Sequence, residues 1–422
     1  MNERKKLVPK LRFPEFRTAR EWDTTVLGEL SEVVRGGSPR PIEGFLTTAV
    51  DGLHWLKIGD VDKEAKYVTH TAEKVRPEAL SKTRVVNPGD LILSNSMSFG
   101  RPYILQIKTC IHDGWIAVTH IGDEVTRDFL YYLISEPHSQ RYFLNNAAGS
   151  GVQNLNADII KALPVCHPPS SEQQKIADCL SSLDELITAQ ARKVDALKTH
   201  KKGLMQQLFP REGETQPRLR FPEFRVAGEW KQKTLEEIAT IKSGSTPLRA
   251  NDEFFVGGSI PWVKTTDLNN SFIATTEEKI TAKAKARINP VGSVLVAMYG
   301  GFNQIGRTGC LSVPAATNQA ISVLLLDQKI ALPVYVLAWL NAKVEDWKRI
   351  ASSSRKDPNI TGSDVAKFLI TLPEVKEQRR IADCVDSLDD LITTATQELD
   401  TLKTHKKGLM QQLFPSAEAA EA

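Results

Sequence analysis

Two segments of the chain carry mainly apolar residues at alternating steps of four and three positions. The first consists of Ile176, Leu180, Leu183, Ile187, Gln190, Val194, Leu197, Lys201, Leu204 and Leu208. The second consists of Ile381, Val385, Leu388, Ile392, Ala395, Leu399, Leu402, Lys406, Leu409 and Leu413. A mean period of about 3.5 residues is the pattern of a coiled-coil seam. We predict a helix from near Ser170 and Ser171 to before Pro210. A second helix is predicted from near Lys376 to before Pro415, because proline cannot continue a helix.

These two helices are longer than a helix that packs only on its own domain. A helix of about 35 residues is roughly 50 Å long, which is more than one face of a domain of about 150 residues buries. The alternative, an amphipathic helix that lies on its own domain, suits shorter helices better. We therefore expect the two helices to pair with each other. The short connection after the first helix favours an antiparallel pair, because the chain then needs no return along the rod.

The stretches outside these helices mix two hydrophobic periods. Short apolar runs bounded by Gly, Pro and Asn are typical of strands, and they occur at residues 91–93, 116–118, 294–296 and 321–326. Residues 129–143 and 333–347 have helical spacing instead. We predict an α+β fold. Two α/β globules are joined by two long antiparallel α-helices that form a coiled coil, with pseudo-two-fold symmetry.

The chain repeats itself from end to end. LKTHKKGLMQQLFP occupies residues 197–210 and again residues 402–415. KLRFPEFRTAREW (10–22) returns as RLRFPEFRVAGEW (218–230), and EQQKIADCLSSLDELIT (172–188) returns as EQRRIADCVDSLDDLIT (377–393). The repeats predict a globule (1–170), a central helix (171–210), a second globule (211–375), a C-terminal helix (376–415) and a disordered tail (416–422). An identical surface presented twice suits two copies of one partner.

Composition changes this picture little. A chain of 422 residues is long enough for at least two domains. A net charge of +3 is too small to indicate nucleic acid by itself, although a local basic face remains compatible with it. The five cysteines form no CxxC pair, which favours reduced thiols in a cytosolic protein. The sequence shows neither a signal peptide nor a membrane helix. We expect a soluble, cytoplasmic chain.

The sequence contains no recognisable active-site signature. It has no GxxxxGK[ST] phosphate loop, no HExxH or Cys/His metal set and no GxSxG elbow. The NPGD and NPVG stretches lack the second proline of a base-methyltransferase site. DVDKEAK (60–66) and PEVK (373–376) resemble a nuclease acid–acid–lysine set, but short charged strings are far more often solvated surface. We expect a recognition component and not an enzyme.

Six polar loops lie at matching places in the two halves. RGGSPRP and KSGSTPLR combine glycines, hydroxyls and cations, which suit close approach to phosphate. SNSMSFGRPY and YGGFNQIGR offer Asn, Gln and Arg, which can make bidentate contacts with base edges. GSGVQNLN and SSSRKDPN add a third loop to each half. One such loop alone is more often an ordinary turn, but the matched set favours DNA binding. The candidate DNA-binding residues are Arg35, Gly36, Gly37, Ser38, Arg40, Ser94, Asn95, Ser96, Arg101, Gln153, Asn154, Lys242, Ser243, Gly244, Ser245, Thr246, Arg249, Tyr299, Asn303, Gln304, Arg307, Arg355, Lys356 and Asn359.

Taken together, these motifs resemble the specificity (S) subunit of type I restriction–modification systems, which act in host defence. The resemblance covers essentially the whole chain and is carried by IADCLSSLDELI…KKGLMQQLF and its second copy. It implies two target-recognition domains that read the two halves of a split, asymmetric DNA site. It also implies paired helices that act as a spacer and bind two methyltransferase (M) subunits. Adenine methylation and ATP-dependent cleavage belong to the M and restriction (R) subunits, so AdoMet, ATP and Mg²⁺ are expected there and no cofactor or metal in this chain.

The resemblance implies double-stranded DNA, two M subunits and, through the complex, R subunits as partners, and no membrane. The subunit interface is expected on the apolar seam, at Ile176, Leu180, Leu183, Ile187, Leu197, Leu204, Leu208, Ile381, Val385, Leu388, Ile392, Leu402, Leu409 and Leu413. A rod of roughly 50 Å fits half-sites about one helical turn, roughly 34 Å, apart. Three other interpretations stay open. They are a stand-alone DNA-binding protein, a coiled-coil scaffold without a nucleic-acid role, and a nuclease that uses the PEVK region.

Overall fold

The chain folds into two compact units. The computed structural model describes residues 8–95, 99–147, 155–301, 303–352 and 359–415. Unit 1 comprises Met1–Ala191 and Gln397–Ala422, and unit 2 comprises Arg192–Thr396. Unit 1 is therefore built from both ends of the chain, whereas unit 2 is one continuous stretch.

Helices within the described residues are of two kinds, short ones inside the units and two long ones. They are α1 (Leu27–Leu30), α2 (Arg127–Ser135), α3 (Pro137–Asn146), α4 (Ala157–Lys161), α5 (Ser170–Leu208), α6 (Leu235–Ile238), α7 (Pro333–Ala342), α8 (Val344–Ser352), α9 (Gly362–Lys367) and α10 (Val375–Leu413). The long helices, α5 and α10, begin and end within a few residues of the predicted positions.

In unit 1 the strands form two five-stranded sheets and one two-stranded sheet. The strands are β1 (Asp23–Val26), β2 (Glu32–Arg35), β3 (Leu46–Thr47), β4 (Leu53–Leu56), β5 (Tyr67–Val68), β6 (Glu73–Val75), β7 (Arg84–Val86), β8 (Leu91–Ser94), β9 (Pro102–Leu105), β10 (Thr109–Ile111), β11 (Trp115–Thr119) and β12 (Pro164–His167). The sheet orders are β2-β11-β8-β9-β5, β3-β6-β4-β10-β7 and β1-β12.

Unit 2 repeats this plan with a smaller second sheet. Its strands are β13 (Lys231–Thr234), β14 (Ala239–Ser243), β15 (Ile260–Val263), β16 (Ser271–Ile273), β17 (Lys279–Ile280), β18 (Val294–Ala297), β19 (Thr308–Leu311), β20 (Ala316–Thr317), β21 (Ile321–Leu326) and β22 (Leu369–Leu372). The sheet orders are β14-β21-β18-β19-β16, β17-β15-β20 and β13-β22. The mixed helix-and-sheet fold predicted for each half is confirmed.

All four predicted apolar runs lie in central strands. In unit 1, β8 and β11 are buried along their whole length, and in unit 2 β18 and most of β21 are buried. A strand that is covered on both faces carries consecutive apolar residues and does not alternate. This is why short unbroken apolar runs, bounded by turn residues, identified these strands.

The two shorter predicted helices are each interrupted. Residues 129–143 form most of α2 and most of α3, because Pro137 has no backbone N–H with which to continue α2. The Glu136 side chain caps α3 by accepting hydrogen bonds from the backbone N–H groups of His138 (2.8 Å) and Ser139 (2.6 Å). Residues 333–347 similarly divide between α7 and α8 at Lys343.

Within each unit a segment of α5 lies beside a segment of α10. In unit 1 Lys406 forms an ion pair with Asp184, and Gln190 donates to Glu398 at 2.8 Å. Later residues of α5 thus meet earlier residues of α10, so the two segments run antiparallel in unit 1. In unit 2 Lys201 forms the ion pair with Asp389 that the sequence repeat makes equivalent to Lys406–Asp184. Every seam position named above is buried or half-buried.

A buried ion pair holds the start of each long helix. In unit 1 the Arg12 guanidinium donates from Nε and Nη2 to both carboxylate oxygens of Glu172, each at 2.7 Å. The same guanidinium donates to the backbone carbonyls of Ala19 and Arg20. In unit 2 Arg220 and Glu377 make the same pair at 2.8 Å. The repeated Arg of RFPEF and Glu of EQ therefore have a structural role.

The glutamine of each EQ pair binds the loop in front of the domain's first large helix. Gln173 accepts from the backbone N–H of Thr126 and donates to the carbonyls of Glu124 and Pro168, all at 2.7 Å. Gln378 makes the equivalent contacts in unit 2, including acceptance from the N–H of Leu332 at 2.9 Å. A buried side-chain amide with all of these partners fixes the helix against its globule.

The end of each long helix fills the core of a unit. In unit 1 Phe414 packs against Trp22 and Phe129, with ring centroids 6.4 and 5.5 Å apart, and Met410 and Leu413 join the same cluster. In unit 2 Phe209 takes this place, 5.7 Å from Tyr335 and 5.4 Å from Trp339, beside Met205 and Leu208. The apolar part of LKTHKKGLMQQLFP is therefore repeated because two equivalent cores require the same insert.

The cysteines are structural in character. Cys110, Cys166, Cys179, Cys310 and Cys384 are all free thiols. Burial raises the pKa of Cys110 and of Cys310 to about 11, so both thiols are neutral and unreactive at physiological pH.

Candidate nucleic-acid interface

In unit 1 the RGGSPR loop packs tightly against the turn between β10 and β11. The backbone N–H groups of Gly36 and Gly37 donate to the carbonyls of Trp115 (2.8 Å) and Ile111 (3.1 Å). A Cβ atom on Gly36 would lie 2.2 Å from the carbonyl oxygen of His112, so no side chain fits there. These glycines therefore allow one loop to approach another, and not the close approach to phosphate that the sequence suggested.

Asp113 is the centre of this contact. Its carboxylate accepts from the Ser38 hydroxyl at 2.9 Å and from the Arg40 guanidinium at 3.2 Å. Its backbone carbonyl accepts from Arg35 Nε at 3.1 Å and from the Asn95 side-chain amide at 3.0 Å. Asp113 thus gathers four of the candidate residues around one turn, which we call the Asp113 hub (Arg35, Ser38, Arg40, Asn95 and Asp113).

The charge of the hub carboxylate is stabilised. Burial acts to raise the pKa of Asp113, but the Ser38 hydrogen bond and the charges of His112 and Arg40 outweigh burial, so the pKa lies below its ordinary value. The carboxylate is therefore ionised at neutral pH and acts as a hydrogen-bond acceptor. The Asp113 side chain is 28% exposed, so part of it remains open to a ligand.

Unit 2 builds the same backbone arrangement around a different side chain. The N–H groups of Gly244 and Ser245 donate to the carbonyls of Ile321 (3.4 Å) and Thr317 (2.9 Å), and a Cβ on Gly244 would lie 2.2 Å from carbonyl oxygens of that turn. The Thr246 hydroxyl donates to the side-chain amide oxygen of Gln319. Gln319 thus occupies in unit 2 the place that Asp113 occupies in unit 1.

Two further backbone contacts confirm the equivalence. Asn95 N–H donates to the carbonyl of Gly114 at 3.0 Å, and Met298 N–H donates to the carbonyl of Ala320 at 2.8 Å. The tripeptide His-Asp-Gly at 112–114 is therefore replaced by Asn-Gln-Ala at 318–320. These turn residues were not among the sequence candidates. The sequence could have identified them by position, because each tripeptide directly precedes the apolar run of a buried strand, β11 or β21.

The third predicted loop of each half reaches the same place. Leu155 N–H donates to the carbonyl of Asn95 at 3.2 Å, and Ile360 N–H donates to the carbonyl of Met298 at 3.0 Å. The structure therefore brings the first two predicted loops of each half, and the described residues at the end of the third, together at one end of the central sheet. Ser96, Gln153, Asn154, Arg355 and Lys356 lie outside the described residues. Asn359 is half-buried.

Two candidates are corrected by their burial. Ser94 is fully buried at the end of β8, and Asn95 is 3% exposed with its amide directed to the Asp113 carbonyl. Neither side chain faces solvent, so both lie behind the loops that the sequence predicts to bind DNA.

The arginine of the second predicted loop makes different contacts in the two units. Arg101 lies 3.7 Å from Glu64 and over the Tyr103 ring, and it is half-buried. Arg307, its counterpart, donates from Nε to the carbonyl of Asn303 at 3.0 Å. Both side chains keep part of their surface free for an anion.

The rest of the loop containing Arg307 is shaped by glycines. Gly300 and Gly301 have φ of +119° and +85°, a backbone conformation that L-residues rarely adopt. Gln304 is held inward by the Thr265 hydroxyl at 2.8 Å, while Tyr299 and Asn303 are exposed. Tyr299 and Asn303 are therefore exposed side chains of this loop that can meet a ligand, in addition to Arg307.

The remaining candidates of unit 2 are mostly exposed. Arg249 is paired with Glu278 at 2.6 Å and stacks over Phe255 and Trp262, so its guanidinium is already engaged. Ser243, Ser245 and Thr246 are exposed, and Lys242 is half-buried.

The nuclease-like string of residues 60–66 has a structural explanation. Lys66 pairs with Asp128 at 3.2 Å and donates to the Tyr132 and Ser181 hydroxyls at 3.2 and 3.0 Å. Within the described part of the chain, no group of three or more His, Cys, Asp or Glu side chains is arranged to hold a metal ion. Nor does any described helix have the length and hydrophobicity of a membrane span.

Several of the predicted subunit-interface residues face the interior of their own unit. Ile176 and Leu180 belong to the core of unit 1, and Ile381 and Val385 to the core of unit 2, each 3% exposed or less. Side chains so deeply buried do not contact a separate subunit. The outer faces of α5 and α10 are the surfaces that these helices offer to a partner.

The two units carry paired sets of loops on a common frame, and comparison with known proteins identifies the class of this protein. Residues 19–199 and 227–404 match the family described as the type I restriction modification DNA specificity domain. The chain is 27% identical over 178 residues to the EcoR124I/EcoR124II specificity subunit of Escherichia coli, a match covering 41% of this chain and 44% of that protein. It is 22% identical over 420 residues to the MjaVIII specificity subunit of Methanocaldococcus jannaschii, covering 94% and 93%.

Solved structures share the fold. The S subunit of a type I restriction–modification system from M. genitalium superposes with a TM-score of 0.59 at 16% identity, over 97% of this chain and 99% of that one. A chain from a study of type I system assembly and conformational transition gives a TM-score of 0.61 at 17% identity, over 93% and 97%. The chain belongs to the type I restriction–modification DNA specificity family. Its role is DNA sequence recognition, and the catalytic activities of such systems lie in partner subunits.

Proposed function

We propose that this chain reads a bipartite, asymmetric DNA site, with one half-site recognised by each of two target-recognition domains. The supporting observation is that one backbone frame carries different side chains at the same turn. His-Asp-Gly in unit 1 corresponds to Asn-Gln-Ala in unit 2, while the backbone hydrogen bonds to each turn are equivalent. Side chains that vary on a constant frame are suited to reading different bases.

The chemistry of these side chains fits base edges. The ionised Asp113 carboxylate accepts hydrogen bonds, as the N4 amino group of cytosine requires. The Gln319 amide both donates and accepts, as adenine N6 and N7 require. Ser38, Arg40 and Thr246 lie against these two side chains and, with exposed Asn303 and Tyr299, complete the proposed surface.

We further propose that α5 and α10 form one antiparallel coiled coil that separates the two readers. Support comes from the buried seam, from the antiparallel contacts in unit 1, and from the equivalent Lys201–Asp389 pair in unit 2. A pair of helices of this length serves as a stiff spacer, so the number of unread base pairs follows from helix length. The proposed domains are residues 1–170 and 211–375, with the helices at 171–210 and 376–415.

The outer helix faces provide a docking surface for two methyltransferase subunits. Leu186 is 57% exposed and Leu391, at the same place in the repeat, is 54% exposed. Solvent-exposed leucines at equivalent positions of two helices suit two copies of one apolar partner surface. In this assembly AdoMet, ATP and Mg²⁺ bind the partner subunits, R subunits join through the complex, and the whole acts on DNA in the cytoplasm.

The test is co-expression with the cognate methyltransferase subunit, followed by single-molecule sequencing of methylated adenine. We expect one split motif with a fixed gap. Asp113→Asn removes the acceptor charge and should change the base preference in one half-site only, by roughly 1–3 kcal/mol of discrimination, or about 5-fold to 150-fold. Asp51→Asn, the same change at an exposed residue away from the hub, should leave the motif unchanged.

Other outcomes favour other functions. A change in both half-sites with Asp113→Asn contradicts independent reading. Specific DNA binding by the purified chain without methyltransferase favours a stand-alone DNA-binding protein. No salt-dependent DNA affinity at all favours a coiled-coil scaffold, and metal-dependent cleavage by the chain alone favours a nuclease.

A further inference from the structure

Unit 1 contains a cationic cleft beside the last turns of α10. The cleft has a volume of about 600 Å³. Lys63 and Arg101 line it from the globule, and Lys403, Lys406 and Lys407 line it from the helix. Among the described residues that line it there is no Asp or Glu. Phe99 and Tyr131 add aromatic surface to its wall.

Most of this positive charge is not neutralised inside the chain. Lys406 is paired with Asp184, whereas the ion pair of Arg101 among the described residues is a long one, 3.7 Å, to a Glu64 that is 79% exposed. Lys63, Lys403 and Lys407 are exposed and form no ion pair with any residue that the structure describes. Cations gathered in a cleft raise the local positive potential and attract anions from solution.

The position of the cleft indicates which anion it binds. Phe99 follows Asn95 of the Asp113 hub by four residues, so their Cα atoms are at most about 14 Å apart. Along one DNA strand that distance corresponds to about four phosphates, at 3.4 Å of rise for each. A duplex whose bases meet the hub therefore has backbone phosphates within reach of the cleft.

The lysines of the cleft come from the repeated segment, which indicates a contact that does not depend on the DNA sequence. Lys403, Lys406 and Lys407 lie in LKTHKKGLMQQLFP, and the same three lysines recur as Lys198, Lys201 and Lys202. The reading turns differ between the units, but these cations do not. A constant set of cations suits the phosphate backbone, which is the same whatever bases are read.

We propose that this cleft binds the phosphate backbone of duplex DNA, next to the half-site read by unit 1. This inference rests on the proposed function in one respect, which is that unit 1 binds duplex DNA at the Asp113 hub. An acidic segment of a protein partner carries similar charge, but the Arg101 loop joins the cleft directly to the hub, which favours DNA. Arg101 and the helix lysines position the duplex and carry no sequence information.

The test is the salt dependence of DNA binding by the full chain in complex with its methyltransferase. Lys63→Gln, Lys403→Gln and Lys407→Gln are combined in one variant. A matched variant carries Lys108→Gln, Lys161→Gln and Lys175→Gln, which remove the same charge from exposed lysines that do not line the cleft. Binding is measured for a duplex with the methylated motif and for a scrambled duplex, across a salt series.

We expect the cleft variant to bind both duplexes more weakly and to keep the ratio between them. The slope of log affinity against log salt should fall by about two to three, or roughly 0.9 for each lost phosphate contact. The matched variant should keep the wild-type slope. An unchanged slope in the cleft variant overturns the proposal, and so does loss of methyltransferase co-purification with the slope unchanged, which points to a protein segment in the cleft. If the wild-type complex binds both duplexes equally, the proposed reading function fails while the slope comparison still decides the cleft.

Discussion

A buried charge persists in a folded protein only where a partner meets it, and Arg12 illustrates this at the scale of one residue. Its side chain is 5% exposed and that of Glu172 is 1% exposed. The Glu172 hydrogen bonds raise the pKa of Arg12 against the opposing effect of burial. Arg220 and Glu377 repeat the arrangement in unit 2. The pair ties the RFPEF segment to the first turn of a long helix, so it sets where that helix leaves the globule.

Replacing Arg12 alone should therefore be costly. Arg12→Ala leaves the Glu172 carboxylate buried without a partner, and we expect about 3–5 kcal/mol of destabilisation. Urea unfolding of the complex measures this loss. Arg17→Ala, at an exposed arginine of the same segment, should change stability by about 0.5 kcal/mol or less. Equal effects of the two substitutions contradict a special role for the Arg12–Glu172 pair.

The residue scale also marks the limit of sequence-based prediction. Arg35, Ser38 and Arg40 could be proposed as site residues from composition alone. Asp113 could not, because its turn looks ordinary and Ser38 lies far from it in the sequence. The burial of Ser94 and Asn95 could not be predicted for a related reason, since residue type does not reveal which side of a strand end faces solvent.

At the scale of elements, the ends of the long helices act as inserts in the cores. Phe414 contacts the rings of Trp22 and Phe129, and Phe209 contacts those of Tyr335 and Trp339. The 3.5-residue period predicted the extent of α5 and α10 because it is a local signal. It did not predict that Met410 and Leu413 join a globule, because the partner residues come from a distant part of the chain.

Truncating the aromatic side chain at the end of one long helix should lower the stability of one unit only. Phe414→Ala removes a buried aromatic ring, and we expect about 3–5 kcal/mol of destabilisation. Hydrogen exchange should increase in unit 1 and stay at the wild-type rate in unit 2. Phe209→Ala is the matched variant, with the pattern reversed. A uniform increase in both units contradicts the assignment of one insert to each core.

The outer helix faces give a second prediction for these elements. Leu186→Asp combined with Leu391→Asp places charge in the proposed docking surface, and we expect co-purification of methyltransferase to fall at least tenfold. Leu144→Asp, at a leucine that is 50% exposed in α3, is the control. Full retention of methyltransferase by the double variant excludes these leucines from the interface.

At the scale of the whole molecule, the length of the helix pair is the quantity of interest. Inserting four residues into both α5 and α10, in register, lengthens a helix pair by about 6 Å. At 3.4 Å per base pair, we expect the unread gap in the methylated motif to grow by about two base pairs, with the same bases read. Insertion into α5 alone breaks the seam and should abolish methylation. A gap that stays constant after the double insertion argues against a measuring role for the helices.

The division of the chain into units has a consequence for its synthesis. Residues 192–396 contain every part of unit 2, whereas unit 1 needs Phe414 to cover Trp22 and Gln412 to accept from the N–H of Leu11. The globule that leaves the ribosome first is thus the last to be completed. Until residue 414 has been synthesised, the Trp22 and Phe129 rings lack the ring that packs against them, so a chain that stops within α10 contains a complete unit 2 and an incomplete unit 1.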